Sequence, residues 1–235
     1  MKSILLALGI CSICTCYSTG QSSPKSVHFG ASLTPQVSSM WNGSRDGTGR
    51  ATFGYVIEVK LVTKLSDRLQ LHAGLNVQDS EIKQRYNNLQ WPSDVENGMW
   101  VPGRSYEQFE AKYFAIGLDG GFDFALTTKE NNWSLNGSVA LRRMLNVNDK
   151  LIINESGNLH DPIEDELKNT FNKTQILISL GCNYNFHIGA GCRFFIGPSF
   201  EYSIRDLIGF SVPQILWTYD GGHPVFFGLK TGVFF

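Results

Sequence analysis

Charge is scarce in this chain: 17% of its 235 residues are Asp, Glu, Lys or Arg, against about 25% in ordinary globular proteins. The 20 bases nearly balance the 21 acids, which excludes a nucleic-acid binder working through bulk positive charge. Cysteine is also sparse. Three of the five, Cys11, Cys14 and Cys16, lie in the first twenty residues, and only Cys182 and Cys192 follow. Two cysteines are too few for a disulfide scaffold or a zinc cluster. No run after residue 20 approaches eighteen consecutive apolar residues, so transmembrane helices are excluded. Catalytic signatures are missing: there is no G-x-S-x-G elbow, H-E-x-x-H pair, P-loop or dinucleotide-binding glycine fingerprint. These absences predict a non-catalytic protein without a cofactor or a metal site. Glycine (24) and aromatics (16 Phe, 8 Tyr, 5 Trp) are plentiful. That mixture fits an all-β protein whose outside faces lipid.

The first twenty residues read as an address. Met1-Lys2-Ser3 is a basic start, Ile4 to Ile13 is an apolar run, and Ser18-Thr19-Gly20 offers small residues before Gln21. This is the three-part pattern of a secretory signal peptide, with cleavage expected after Gly20. A membrane anchor needs about 20 apolar residues, and a lipoprotein site at one of the three early cysteines lacks its usual Leu-small-small lead-in. The expected organisation is a signal peptide over 1–20 and one domain over 21–235. The mature domain then has 19 bases against 21 acids, a charge of −2.

From residue 27 onward, apolar residues alternate with small or polar ones in eight segments. Leu69, Leu71, Ala73, Leu75 and Val77, for instance, oppose Gln70, His72, Gly74 and Asn76. Phe114, Ile116, Leu118, Phe122 and Phe124 oppose Ala115, Gly117, Asp119, Gly121 and Asp123. The connections differ by parity. Ser66–Arg68, Thr127–Asn132 and His187–Gly191 are tight, whereas about 37–50, 79–104, 146–172 and 206–222 are long. A soluble sandwich has no reason to sort its loops in this way. Transmembrane β-barrels do, with short periplasmic turns and longer extracellular loops. The predicted fold is an all-β, eight-stranded antiparallel up-and-down transmembrane barrel.

On this phase the apolar face points to lipid. The inward face carries Glu58, Asp119, Asp123 and Glu201 with Lys60, Arg142, Arg193 and Lys230. Equal numbers of both signs predict a lumen ion-pair network, because unpaired buried charges cost several kcal/mol each. Eight strands leave an interior filled by side chains rather than a channel. His28 and His72, also inward, are expected to be hydrogen-bonded fillers of a polar lumen. Cys182 and Cys192 flank a short turn, where they either bridge a hairpin or lie as small apolar residues on the lipid face. Alternation alone leaves an inverted, soluble, lipocalin-like barrel with an apolar ligand inside as an alternative.

The chain ends at Phe235, with Phe227, Leu229 and Val233 on the same side of the strand. This looks like the C-terminal signal that the barrel-assembly machinery reads in outer-membrane proteins. With the leader, the eight segments, the long outer loops and Val233-Phe234-Phe235, residues 21–235 resemble the outer-membrane β-barrel domain family of Bacteroidota, which includes PorT-like proteins. The short turns also resemble small OmpA/OmpX-type barrels. The resemblance implies outer-membrane residence, contact with outer-membrane lipid and handling by the assembly machinery, and a larger envelope complex as a candidate partner. It implies no single function.

The long connections hold the other candidates. Trp91, Trp100 and Trp217 are candidate partner-binding aromatics, with headgroup-belt packing as the alternative. Asp161-Pro162-Ile163-Glu164 reads as the start of a short helix over about 162–170. A rim-active membrane enzyme would have to gather His160, Asp161, Asp165, Asp206, Asp220 and His223, which their spacing does not specify.

Overall fold

The computed structural model describes residues 27–41, 47–90, 94–96, 99–101, 105–128, 131–155, 158–159, 172–188, 191–207 and 222–235. Eight long strands carry the fold: β1 (Val27–Trp41), β2 (Thr52–Lys64), β3 (Leu69–Gln90), β4 (Ser105–Ala125), β5 (Asn132–Glu155), β6 (Thr174–Ile188), β7 (Cys192–Ser203) and β8 (His223–Phe234). Each pairs antiparallel with its sequence neighbours, and β8 pairs with β1, so the sheet closes on itself. The described residues contain no helix.

The register fixes the barrel's shape. Phe29 pairs with Leu61, and the pairing continues through Ala73, Gly120, Val139, Ile178, Tyr202 and Val225. It returns to β1 at Ser39, ten residues beyond its start. A stagger of that kind tilts the strands around the barrel axis. Because ten is even, inward and outward faces match all the way round.

The outward face is apolar over one band. Phe29, Leu33, Leu71, Leu75, Leu118, Phe122, Leu135, Leu141, Ile178, Leu180, Phe227 and Leu229 are all exposed. The inward face holds buried Ser32, Gln36, Glu58, Lys60, His72, Asn76, Gln78, Asp123, Arg142 and Gln175. The polar face is therefore inside, and the inverted, ligand-holding barrel is excluded. At the short-turn end the band finishes in stacked aromatics: Trp133, Tyr184, Phe186 and Phe194 follow one another at centroid distances of 5.2, 6.2 and 5.9 Å. Trp and Tyr favour the interface between hydrocarbon and headgroups.

The three turns at that end are tight. Leu65 N–H donates to the Leu69 carbonyl at 2.9 Å, and Ser66 Oγ accepts from the Leu69 N–H at 3.1 Å. Lys64 pairs with Asp67 at 2.9 Å, and this hydrogen bond holds the Asp67 carboxyl below the usual carboxylate range. Gly191, between β6 and β7, has φ of 111°, a left-handed conformation that a side chain would strain.

At the other end the strands are unequal. β3, β4 and β5 have 22, 21 and 24 residues, whereas β7 and β8 have 12. About 9–11 tilted residues cross a bilayer, so three adjacent strands run well past the band. Much of the sequence expected as loop in 79–104 and 146–172 is in fact strand, paired out to Gln90 with Ser105 and Tyr106 with Ile153. Gly47–Arg50 adds a further short strand to the β3 edge of this projection. On β3 the outward residues change from Leu75 and Val77 to Asp79, Glu81 and Lys83, which marks the limit of the apolar band. Above it Lys83 lies 3.2 Å from Glu110 and 3.3 Å from Glu81, and the Glu110 hydrogen bond raises its ammonium above the ordinary lysine range.

A bulge shapes the projection. Phe114 pairs with Asn146 and Ala115 with Met144, so Leu145 is the extra residue of β5. It turns outward, Met144 stays inward, and Val147 beyond it packs on the interior cluster. Leu118 lies midway along the apolar face of β4 and is 59% exposed. Replacing it with Arg is expected to cost about 2–4 kcal/mol in lipid vesicles, read as a lower urea midpoint. A change within about 0.5 kcal/mol, typical of a water-exposed surface, would contradict a lipid-facing band.

Candidate functional site

The lumen has three layers. At the short-turn end Phe195 and Phe234 stack at 4.9 Å beside Val62. Lys60 Nζ lies 5.2 and 5.0 Å from their ring centroids, and the Arg193 guanidinium lies 4.5 Å from that of Phe234. Arg193 Nη2 also donates to Gln70 Oε1 at 2.9 Å. At the projecting end Met40, Ile82, Tyr113, Met144, Leu207 and Phe226 form a buried apolar cluster.

Between these layers lie the charges. Arg142 Nη1 and Nη2 donate to the two oxygens of Glu201 at 2.7 and 2.9 Å, a bidentate pair. The same guanidinium donates through Nε to Asn76 Oδ1 at 2.9 Å and through Nη1 to Gln78 Oε1 at 3.0 Å. Asn76 and Gln78 are on β3 and Glu201 is on β7, opposite walls of the eight-stranded ring, so one side chain spans the lumen. Gly117 makes room for it: a Cβ there would sit 2.6 Å from Arg142 Cγ and 2.9 Å from Asn76 Oδ1.

Lys230 Nζ lies 2.5 Å from Glu58 Oε2, which also accepts from Ser32 Oγ at 2.8 Å. Asp119 Oδ1 accepts from Asn76 Nδ2 at 3.1 Å. Asp123 Oδ2 accepts from His72 Nδ1 at 2.9 Å. Glu58, His72 and Asp119 each bring one ligand-type atom within 4.8 Å of the others. They are the described residues whose chemistry and spacing could hold a metal ion. Beside them is a cavity of about 20 Å³, room for a water molecule, lined by Glu58, Asn76, Asp119, Arg142, Glu201 and Lys230 among others.

All eight charged residues singled out from the sequence therefore border the lumen, in two acid–base pairs, a histidine-linked acid cluster and two aromatic-stacked bases. Sequence reasoning missed the placement of His72 between Asp119 and Asp123, and the inward Phe195 and Phe234. Phe195 interrupts an otherwise polar face of β7, the one signal that could have exposed it. His28, read as a filler, donates through Nδ1 to the main-chain oxygen of Phe235 at 3.1 Å, beside the Phe235 N–H bond to the Phe29 carbonyl. Phe227 and Leu229 are exposed on the outer wall, and Val233 shares their face of β8.

The cysteines do not meet. Cys192 pairs with Ile188, whereas Cys182 lies between Gly181, opposite Ser199, and Tyr184, opposite Ile196. Both thiols are free, which corrects the possibility of a bridge across the hairpin. Of the rim candidates, His223 Nε2 lies 3.1 Å from Asp206 Oδ1, and its Nδ1 donates to the Ser203 carbonyl at 3.0 Å. His160, Asp161, Asp165 and Asp220, the helix expected over 162–170, Trp91 and Trp217 lie outside the described residues. Trp100 is in the strand Met99–Val101, paired with Asp94–Glu96.

No family model matches the chain, and no curated protein sequence matches it. Solved structures do. Neisserial surface protein A is 13% identical, with 89% of this chain and 97% of that one covered and a TM-score of 0.45. Ail, the attachment invasion locus protein of Yersinia pestis, is 11% identical over 88% and 98%, at 0.37. The outer membrane protease OmpT of Escherichia coli is 8% identical over 93% and 99%, at 0.38. These proteins are named for different roles, and at these identities they assign this chain none of them.

Arg142 tests how far the lumen acts as one unit. Arg142→Met strands the Glu201 carboxylate and is expected to cost about 3–5 kcal/mol. The double variant Arg142→Met/Glu201→Met should lose less than the sum of the two single variants, measured by urea unfolding of the refolded barrel. Additive losses would show that the pair is not coupled.

Proposed function

We propose that this protein is an integral barrel of a bacterial outer membrane, non-conducting and non-catalytic, that serves the cell envelope through the sheet it raises above the membrane. The observation that carries this reading is the pairing of an apolar outer band with a charged, side-chain-filled lumen. A closed barrel leaves no backbone edge in hydrocarbon. The apolar outside then has one compatible solvent, lipid, and the polar inside has no water column to conduct. Residues 1–20 read as the export signal such a protein needs, and the short turns would face the periplasm. The assignment to PorT-like barrels of Bacteroidota rests on the sequence resemblance: the leader, eight alternating segments, long outer connections and the terminal Val233-Phe234-Phe235.

Partner binding is placed on the projection. β3, β4 and β5 present polar outward residues there, such as Glu81, Lys83, Lys112 and Asn148, and the sequence between β3 and β4 includes Trp91 and Trp100. Large aromatics on a rigid sheet are common anchors for a protein partner. A rim enzyme has one observation in its favour, the His223–Asp206 pair. Both ring nitrogens of His223 are already engaged, however, by Asp206 and by the Ser203 carbonyl. That arrangement ties the start of β8 to the end of β7 and leaves no free nitrogen to act as a base.

The unboiled protein is expected to migrate as a compact band in the outer-membrane fraction and to shift on boiling. In planar bilayers it should give no stable conductance steps. A freely soluble protein, or regular channel openings, would refute the corresponding half of the reading. Deletion of 91–100 should leave the heat shift intact and remove the proteins crosslinked to the wild type in whole cells. An unchanged crosslinking profile would move partner binding away from this connection.

A further inference from the structure

We propose that Glu58, His72 and Asp119 form a binding site for a divalent transition-metal ion of the zinc type, with Asp123 orienting the imidazole. The inference goes beyond the envelope role and does not depend on it. Its basis is three ligand-type side chains whose atoms lie within 4.8 Å of one another, one of them with a buried oxygen that has no hydrogen-bond partner. Glu58 is buried, and its Oε2 is taken by Ser32 and Lys230, whereas Oε1 is buried with no hydrogen-bond partner. Asp119 has Oδ1 taken by Asn76. Its Oδ2 lies 3.8 Å from His72 Nε2, beyond hydrogen-bond reach.

The histidine is set for this task. A carboxylate only accepts, so the 2.9 Å contact to Asp123 puts the proton of a neutral imidazole on Nδ1 and leaves the Nε2 lone pair towards Asp119. Metal-bound histidines characteristically donate their other N–H to a carboxylate in this manner. Treating His72 as a filler accounts for Nδ1 and leaves Nε2 without a role.

Donor set and position favour zinc-type chemistry. One imidazole and two carboxylates bind Zn²⁺ at about 2.0–2.2 Å, which implies ligand atoms somewhat over 3 Å apart in a tetrahedral shell. The 3.8 Å between His72 and Asp119 is a side-chain adjustment away from that spacing. The adjoining cavity, which Glu58 and Asp119 help to line, has room for a water as the fourth ligand. Lys230 sits on Glu58 Oε2 and Lys60 on the rings of Phe195 and Phe234, which leaves Glu58 Oε1 open. The ligands come from β2, β3 and β4, three consecutive strands, so the ion would pin their register. Aromatic and apolar layers close the lumen at either end, so the ion would enter as the barrel closes and exchange slowly afterwards.

The test uses the full mature chain, unfolded with chelator and refolded in detergent with Zn²⁺ or Co²⁺, its fold verified by the heat shift. After desalting, elemental analysis should find one Zn²⁺ per folded chain, and Co²⁺ should give visible bands of a low-coordinate N/O site. Chelator added before refolding should abolish retention, whereas chelator added afterwards should remove the ion only slowly. Asp123→Asn, which keeps shape and spares the ligands, should weaken Zn²⁺ binding about 10–100-fold. His72→Ala and Asp119→Asn should eliminate it while the heat shift persists. Folded wild-type protein that retains no Zn²⁺ would overturn the proposal, and so would retention that His72→Ala and Asp119→Asn leave unchanged. An imidazolium at His72 bridging Asp119 and Asp123, seen by NMR in metal-supplemented protein, would replace it.

Discussion

The fold depends on Arg142 finding its partners inside a closed barrel whose outer face is apolar. Its guanidinium donates to Glu201, Asn76 and Gln78, three acceptors from two opposite walls. In a packed lumen each unmet donor would cost far more than at a water-exposed surface. The pairing therefore acts as a gauge on the width of the barrel. Shifting any one strand by one residue would carry its lumen side chain to the lipid face and strand charges on both sides at once.

The rest of the lumen follows from that constraint. A long side chain crossing a narrow barrel needs small residues beside it, and Gly117 leaves the required space next to Arg142. Gly74 does the same for Asp119, whose Oδ1 would lie 2.8 Å from a Cβ there. Gly30 and Gly232 admit Phe234 and Phe195 in turn. The abundance of glycine and the presence of internal charge are thus two aspects of one packing solution. The aromatics close the arrangement at the short-turn end, where the ring faces of Phe195 and Phe234 receive the cations of Lys60 and Arg193.

Strand number, order and facing were legible in the sequence because a two-residue period reports directly on a two-faced sheet. Leu75 and Leu118 face out, and Asn76 and Arg142 face in, for that reason alone. Partners were not legible. Which acid meets which base depends on a stagger of ten residues around the barrel, a global quantity that no local pattern encodes. Glu58 thus meets Lys230 on β8 rather than Lys60, its neighbour along the same face of β2. The extent of β3–β5 was hidden for a different reason. Once β3 leaves the apolar band its outward residues turn polar while the inward ones are mixed, as with Ser80 and Ile82, so alternation loses its contrast and Ser80 to Gln90 resembles a loop. The Leu145 bulge then reverses the phase on β5, and a strict period reads that reversal as the end of a strand.

This division between legible and illegible parts also separates stability from function. The band and lumen are tightly constrained, since inward side chains such as Arg142, Glu58 and His72 are tied to partners on other strands and the outward ones form a continuous apolar band. A change there propagates through register and packing. The projection is constrained differently. Its strands are held by backbone pairing and by pairs such as Lys83 with Glu110, which tolerate substitution because solvent can replace a lost partner. A surface that varies without endangering the barrel below it is where recognition can reside. Within the rigid part, Glu58, His72 and Asp119 converge beside a water-sized cavity, with Glu58 Oε1 left unpartnered, and the proposed metal ion would satisfy that convergence.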